Sequence, residues 1–136
     1  MDFLKSMGIA ATGLRAQAGR MRVISENIAN ADSTAATPGG DPYRRKIPTF
    51  SSELDRELDA RVVKMGRIAQ DRSEFRVKYD PSHPAADATG NVKLPNINSL
   101  VEMTDMREAQ RSYEANLNIV TATRRMIQRT LDILRA

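Results

Sequence analysis

The chain has 136 residues, of which 40% are hydrophobic and 28% are charged, and it contains no cysteine. That length suits one soluble domain, and the missing cysteines exclude disulfides and thiolate metal sites. The net charge of +4 is spread along the chain: basic and acidic side chains number four and two in residues 1–30, eleven and ten in 31–99, and six and five in 100–136. Nucleic-acid binding through counterion release needs clustered cations, so this distribution does not favour it.

The first thirty residues have a heptad pattern. Steps of three and four residues join Leu4, Met7, Ala11, Leu14, Ala18, Met21, Ser25 and Ile28, and all but Ser25 are apolar. The pattern predicts a helix over residues 1–30 that packs along another helix at a shallow angle. Gly8, Gly13 and Gly19 each cost about 1 kcal/mol relative to alanine in a helix, so we expect poor helicity in isolation.

The segment from residue 31 to residue 99 has a different composition, because it holds all six prolines. "STAATPGGDP" reads as a loop, and the triplet Arg44-Arg45-Lys46 that follows it reads as a solvated turn. The runs "YRRKIPTF", "ARVVKMGRIA" and "EFRVKYD" predict a small antiparallel ribbon. In "FSSELDRELDA", Ser51 or Ser52 is a helix start signal that predicts one or two helical turns.

The last segment, residues 100–136, has the stronger heptad pattern and predicts the second helix. Its seam consists of Met103, Met106, Gln110, Tyr113, Leu117, Val120, Arg124, Ile127, Leu131 and Leu134. Asn98 or Ser99 is the expected N-cap. A further apolar row, which includes Ala109, Ile119 and Met126, suggests burial on more than one side.

Together these patterns predict a mainly α fold. The terminal helices pair as a coiled-coil-like hairpin around an irregular or short β-ribbon middle segment, within one elongated domain spanning residues 1–136. Such a pair buries one seam and leaves apolar surface that must be covered by copies of the chain or by relatives. We expect Leu14, Met21 and Ile28 to pack against Tyr113, Leu117, Val120 and Ile127. The predicted assembly interface comprises Leu4, Met7, Leu14, Met21, Ile28, Met103, Met106, Tyr113, Leu117, Val120, Ile127, Leu131 and Leu134.

Catalysis has little support in the sequence. His83 is the only histidine and lies in a proline-flanked loop, which is typical of a plain surface residue. Glu53, Asp55, Glu57 and Asp59 alternate with basic residues and lack the spacing and central glycine of a calcium loop. We therefore expect no enzymatic activity, no cofactor and no metal site.

Both ends of the chain resemble the rod, hook and hook-associated axial proteins of the bacterial flagellum. "SENIANADST" is similar to the N-terminal signature of that family, and "EMTDMREAQRSYEANLNIVTATRRMIQRTLDIL" resembles its C-terminal helix. "VKYDPSHPAADATGNVKLPNIN" and the short length resemble the proximal rod members, although the loop "DSTAATPGGDPYRR" is longer than in many axial proteins. The matching positions are Asn27, Ile28, Asn30, Ala31, Pro95, Asn96, Asn98, Glu102, Met103, Met106, Tyr113, Ala115 and Asn116.

The resemblance implies a structural subunit of the proximal rod in the periplasm. Such a subunit is exported unfolded by the flagellar type III apparatus, without a cleaved signal peptide. Its terminal helices join a helical tube that transmits torque and lines the export channel. The implied partners are copies of the chain, the other proximal rod subunit, the distal rod and the rod-base adaptor. Three alternatives stay open: another rod subunit of this family, a basic helical nucleic-acid-binding protein and a membrane-surface amphipathic protein.

Overall fold

The computed structural model describes residues 2–135 and contains two long helices joined by three short antiparallel ribbons. The first helix, α1, spans Phe3–Ala29 and the last, α2, spans Ser99–Arg135. Between them lie β1 (Lys46–Ile47), β2 (Phe50–Asp55), β3 (Ala60–Met65), β4 (Ala69–Gln70), β5 (Arg76–Tyr79) and β6 (Asn91–Leu94). The mainly α fold and the short β segment predicted from the sequence are confirmed.

Each long helix begins at a capping side chain. Asp2 Oδ1 accepts hydrogen bonds from the backbone N–H groups of Leu4 and Lys5, at 3.0 and 3.2 Å. Asn98 Oδ1 accepts from Leu100 N at 3.0 Å, which confirms Asn98 as the N-cap of α2. These bonds satisfy backbone donors that have no partner within the helix.

Neither helix, within the described residues, combines the length and the apolar character needed to cross a membrane.

The strands pair as β1 with β4, β2 with β3 and β5 with β6. The three β-prone runs identified in the sequence contribute strands to these ribbons, whereas the short helix expected at Ser51 or Ser52 is wrong, because those residues belong to β2. The turn after β2 explains the difference. Asp55 Oδ1 accepts from Glu57 N and Leu58 N, and Asp59 adopts a φ of 44°, a conformation that aspartate tolerates well. A closed hairpin then pairs all six residues of β2 with β3.

The chain forms two compact units, and both long helices contribute to each. One unit comprises residues 2–21, 49–67 and 107–135, and the other comprises Arg22–Pro48 and Ile68–Met106. In the first unit the helix glycines are points of close packing. A Cβ added to Gly8 would lie 2.7 Å from a methyl group of Leu58, and one added to Gly19 would overlap Met65. The cost of these glycines to α1 stays a prediction, and their missing side chains let the β2–β3 hairpin approach the helix.

The second unit has its apolar core around the end of α1. Val23, Ile24 and Ala31 are buried there together with Val92 of β6 and Ile97. Arg76 of β5 joins these parts, since its Nε donates to the carbonyl of Pro95 at 3.0 Å and its Nη2 to that of Ala31 at 2.8 Å. The β5–β6 ribbon is therefore attached to the end of α1 and to the segment just before α2.

We predict that Gly19→Leu releases the β2–β3 hairpin from α1. The added side chain occupies the position of Met65, and Val62, which is only 1% exposed, loses its cover. Hydrogen exchange should show loss of protection across β2 and β3. Ala18→Leu is the matched control, because Ala18 is exposed on the same helix and should leave exchange unchanged. Equal exchange in both variants would contradict this packing.

Candidate assembly site

The two helices meet along a seam of small and polar residues. In the first unit, a Cβ added to Gly13 would lie 2.9 Å from Asn116 Oδ1, and Arg20 pairs with Glu108 at 3.3 Å. In the second unit, Asn27 contacts Glu102. The residues of α2 on this closed face recur every seven positions, and all are buried or half-buried: Glu102, Ala109, Asn116 and Thr123.

The predicted interface residues divide into a half-buried set and an exposed set. The half-buried set forms one heptad row on each helix and consists of Met7, Leu14, Met21, Ile28, Met106, Tyr113, Val120 and Ile127. The exposed set consists of Leu4, Met103, Leu117, Leu131 and Leu134, which are 71, 52, 45, 48 and 77% exposed. Met103 and Leu117 each follow a member of the closed face by one residue, and Leu131 continues their spacing beyond that face. Leu117 therefore lies outside the closed seam in this chain, unlike its expected packing against α1.

In the second unit, Asn27 is fully buried and all its hydrogen-bonding capacity is used. Its Nδ2 donates to the carbonyl of Lys46 at 2.8 Å, and its Oδ1 accepts from Lys46 N at 3.0 Å. The Asn27 amide thus bonds both the N–H and the carbonyl of Lys46, as the backbone of a neighbouring β-strand would. Nδ2 also donates to Glu102 Oε2 at 3.1 Å, and Tyr43 Oη donates to Oδ1 at 3.1 Å. Asn27 thus joins α1, β1 and α2.

Arg45 completes this buried network. Its Nε donates to Glu102 Oε1 at 2.6 Å, where the carboxylate is 1% exposed, and its Nη atoms lie 3.5 Å from Asp71 and 3.8 Å from Asp105. Arg45 N donates to Asn96 Oδ1 at 2.8 Å. We name the group formed by Asn27, Arg45, Asn96 and Glu102 the polar junction. A buried charge is costly unless it is paired, and here each oxygen of Glu102 has a donor.

The other motif residues have local roles or remain near the surface. Asn96 Nδ2 donates to the carbonyl of Asp71 at 3.1 Å and to Ser73 Oγ at 2.9 Å, which ties the 71–73 turn to the polar junction. Asn30 Nδ2 donates to the carbonyl of Glu26 at 2.8 Å at the end of α1. The remaining motif positions show no shared site: Ala31 and Pro95 are buried, Ile28, Met106, Tyr113 and Asn116 half-buried, and Asn98, Met103 and Ala115 exposed.

The basic triplet is not a solvated turn, which corrects the expectation from the sequence. Arg44 donates to the carbonyls of Asp71 and Ser73 and stacks 4.2 Å above the ring of Phe75. Arg45 belongs to the polar junction, and Lys46 Nζ lies 2.9 Å from Glu26. All three charges are engaged inside the chain, so the triplet does not offer a free phosphate-binding cluster.

Electrostatics favours the charged forms around the polar junction. Burial opposes ionisation of Arg45, but the hydrogen bond and charge of Glu102, with those of Asp71, outweigh it and raise the pKa of Arg45. The pKa of Asp71 is lowered, first by the backbone N–H of Ser73 and then by the Ser73 side chain and Arg45. Asp71 therefore stabilises the fold above its ordinary pKa of 3.8, and that contribution disappears as the pH falls through its lowered value.

His83 and the carboxylates of the β2–β3 turn form no catalytic or metal arrangement with one another. His83 Nδ1 accepts the N–H of Ala85 at 3.0 Å within its own loop. Glu53 pairs with Lys64 at 2.7 Å, and Asp59 lies 3.9 Å from Lys5. No group of three or more histidine, aspartate or glutamate side chains within residues 2–135 is arranged to hold a metal ion.

We predict that Asn27→Asp destabilises the isolated protein by about 2 kcal/mol, because hydrogen bonds to charged groups contribute roughly 1.5–3 kcal/mol. The isosteric change removes both donated hydrogen bonds and places a second carboxylate beside buried Glu102. Urea denaturation followed by circular dichroism measures the difference. Asn118→Asp, an isosteric change at an exposed position of α2, should have little effect. Similar costs for the two variants would contradict the role assigned to Asn27.

Comparison with known proteins identifies the class. Residues 7–36, which include most of α1, match the family model described as flagella basal body rod protein. Residues 88–133, which include β6 and nearly all of α2, match the model described as flagellar basal body rod FlgEFG protein C-terminal. A capped helical pair with these matches at both ends defines a flagellar basal-body rod protein.

Curated relatives narrow the class to one family. The chain is 54% identical to the flagellar basal-body rod protein FlgC of Agrobacterium fabrum, over 94% of this chain and 92% of the relative. It is 39% identical to FlgC of Borreliella burgdorferi and 38% identical to FlgC of Bacillus subtilis, each over 98% of this chain and 99% of the relative. The chain belongs to the FlgC family. It is a structural subunit of the flagellar basal-body rod, where it assembles with other rod components.

Proposed function

We propose that this chain is a subunit of the proximal part of the rod and that it assembles through its terminal helices into a helical tube. The tube transmits torque from the motor to the hook and lines the export channel. The chain acts as one domain in this role, since each long helix contributes to both compact units. Its neighbours are copies of itself, the other proximal rod subunit, the distal rod and the rod-base adaptor.

The exposed apolar row on α2 is the observation that supports assembly through the helices. Met103, Leu117 and Leu131 recur at intervals of fourteen residues and are about half exposed. They lie outside the closed face of α2, and their exposure shows that α1 leaves them uncovered. Other large apolar side chains of α2 are exposed as well, including Ile119, Met126 and Ile133. Apolar surface of this extent marks an interface. Neighbouring helices of a tube, packed parallel to α2, would bury this row through many small contacts, which supplies stiffness.

We further propose that the chain crosses the membrane unfolded, through the flagellar type III export apparatus, and folds in the periplasm, where it joins the rod. The absence of cysteine, the aromatic content of 4% and the glycines in α1 limit the stability of the isolated subunit. Export in this form needs no cleaved signal peptide.

Chemical cross-linking in isolated basal bodies tests the placement. If the proposal is correct, this chain forms cross-links with the distal rod on one side and with the other proximal rod subunit on the other side. A variant with cysteine at exposed Met103 provides a defined attachment point, because the chain has no other cysteine. Cross-links only to hook proteins, or absence of the chain from purified rods, would contradict the proposal.

A further inference from the structure

Two exposed surfaces of the first unit have opposite charge. The first, which we call the acidic tip, is the turn of the β2–β3 hairpin from Glu53 to Asp59. It contains four carboxylates and one arginine, for a net charge of −3. The second, which we call the arginine end, is the last part of α2 from Arg124 to Arg135. It contains four arginines and one aspartate, for a net charge of +3.

The start of α1 covers only Ile127 of the arginine end. From residue 124 to residue 135 every side chain is exposed except Ile127, which is half-buried. None of its four arginines forms an ion pair within residues 2–135: Arg124, Arg125, Arg129 and Arg135. Ile133 and Leu134 are 76 and 77% exposed beside them. The chain therefore presents a surface that is both apolar and cationic.

The acidic tip has the complementary character. Glu57 and Asp59 are exposed, and Asp59 lies 3.9 Å from Lys5. Glu53 is paired with Lys64 of β3 at 2.7 Å. Leu54 is 58% exposed in the adjoining strand. Leu58 packs against Gly8 of α1. The tip is therefore held on α1, while the carboxylates of Glu57 and Asp59 are exposed. Each surface thus combines charge with exposed apolar side chains, and the charges of the two surfaces are opposite in sign.

We propose that the acidic tip of one copy docks on the arginine end of a neighbouring copy in the assembled rod. The occupant is a second copy of this chain because one sequence provides both surfaces with opposite net charge, and the acidic tip stays negative when Lys64, the partner of Glu53, is counted. Electrostatic complementarity of this kind fixes orientation and excludes wrong partners more than it raises affinity. This contact rests on the proposed assembly of copies through their helices. It would fix how far one copy is shifted along its neighbour, which the exposed apolar row alone does not define.

Cross-linking of two single-cysteine forms tests the contact directly. One form has Arg56→Cys in the acidic tip and the other has Gln128→Cys in the arginine end, and both positions are exposed. With both forms produced in one cell and a short thiol cross-linker applied to purified basal bodies, we expect a mixed dimer. Rods produced from either form alone should give no dimer. Purified rods that contain both forms without a mixed dimer would overturn the proposal.

Reversal of the charges on the two surfaces provides a second, independent test of the contact. Glu57→Arg and Arg129→Glu should each reduce the yield of rod-containing basal bodies severalfold, and the two changes combined in one chain should restore it. Glu114→Arg is the matched control, since it makes the same charge change at an exposed position of α2 and should leave the yield unchanged. Normal yield in both single variants, or no recovery in the double variant, would overturn the proposal. Absence of the unmodified chain from rods would instead overturn the proposed function.

Discussion

Replacing Arg45 by methionine should lower the free energy of unfolding by about 3–5 kcal/mol, the range found when one partner of a buried ion pair is removed. Arg45 Nε donates the 2.6 Å hydrogen bond that neutralises Glu102, whose side chain is 1% exposed. Without it, the carboxylate keeps only the amide of Asn27 as a donor and remains buried with an unpaired charge. Methionine preserves most of the side-chain volume, so lost charge pairing dominates the effect.

Urea denaturation of the purified variant measures this cost, and two further variants isolate its cause. Lys64→Met removes the partner of Glu53, and both side chains of this pair are more than half exposed. The change should lower the free energy of unfolding by less than about 1 kcal/mol. Adding Glu102→Gln to Arg45→Met removes the unpaired charge and should recover part of the loss. Equal costs for Arg45→Met and Lys64→Met would show that the polar junction does not stabilise the fold.

Leu117→Asp should abolish rod assembly and swimming while the isolated protein remains folded. Leu117 is 45% exposed in the single chain, so an aspartate there keeps access to water. In the assembled rod the same position would be covered by a neighbouring helix, and burial of an unpaired carboxylate is far more costly. The variant therefore separates stability of the subunit from stability of the assembly.

Swimming assays, electron microscopy of basal bodies and circular dichroism of the purified variant measure these effects. Asn118→Asp is the matched control, because it adds a charge at the adjacent exposed position and should leave swimming intact. Ala109→Asp introduces the charge at a fully buried position and should unfold the isolated protein. Swimming cells with Leu117→Asp would contradict assignment of this row to the interface.

Much of the fold could be predicted because its signals are local. The heptad patterns placed the helices at residues 1–30 and 100–136, close to the observed Phe3–Ala29 and Ser99–Arg135. The spacing of apolar residues and the capping by Asn98 depend only on residues close together in the sequence. The three β-prone runs are also local signals, and each contributes to a strand. The turn at Asp55–Asp59 was misread because a serine before alternating acids also resembles a helix start.

The contact between the helices was harder to predict. Hydrophobic pattern emphasises large side chains, but the closed seam consists of Gly13, Ala109, Asn116 and Thr123, which permit close approach through their small size. A seven-residue recurrence of small and polar positions was the signal that could have identified it. The polar junction could be predicted only in part. Asn27, Asn96 and Glu102 are positions of the family motif, but no local pattern joins them to Arg45, which is 57 residues from Glu102.

A density map of an intact basal body, resolved to side chains, tests the central claim most directly. The account predicts that this chain occupies the proximal rod and that Met103, Leu117 and Leu131 of each copy are buried against helices of neighbouring subunits. A map in which these side chains face open solvent, while subunits join through other surfaces, would contradict it.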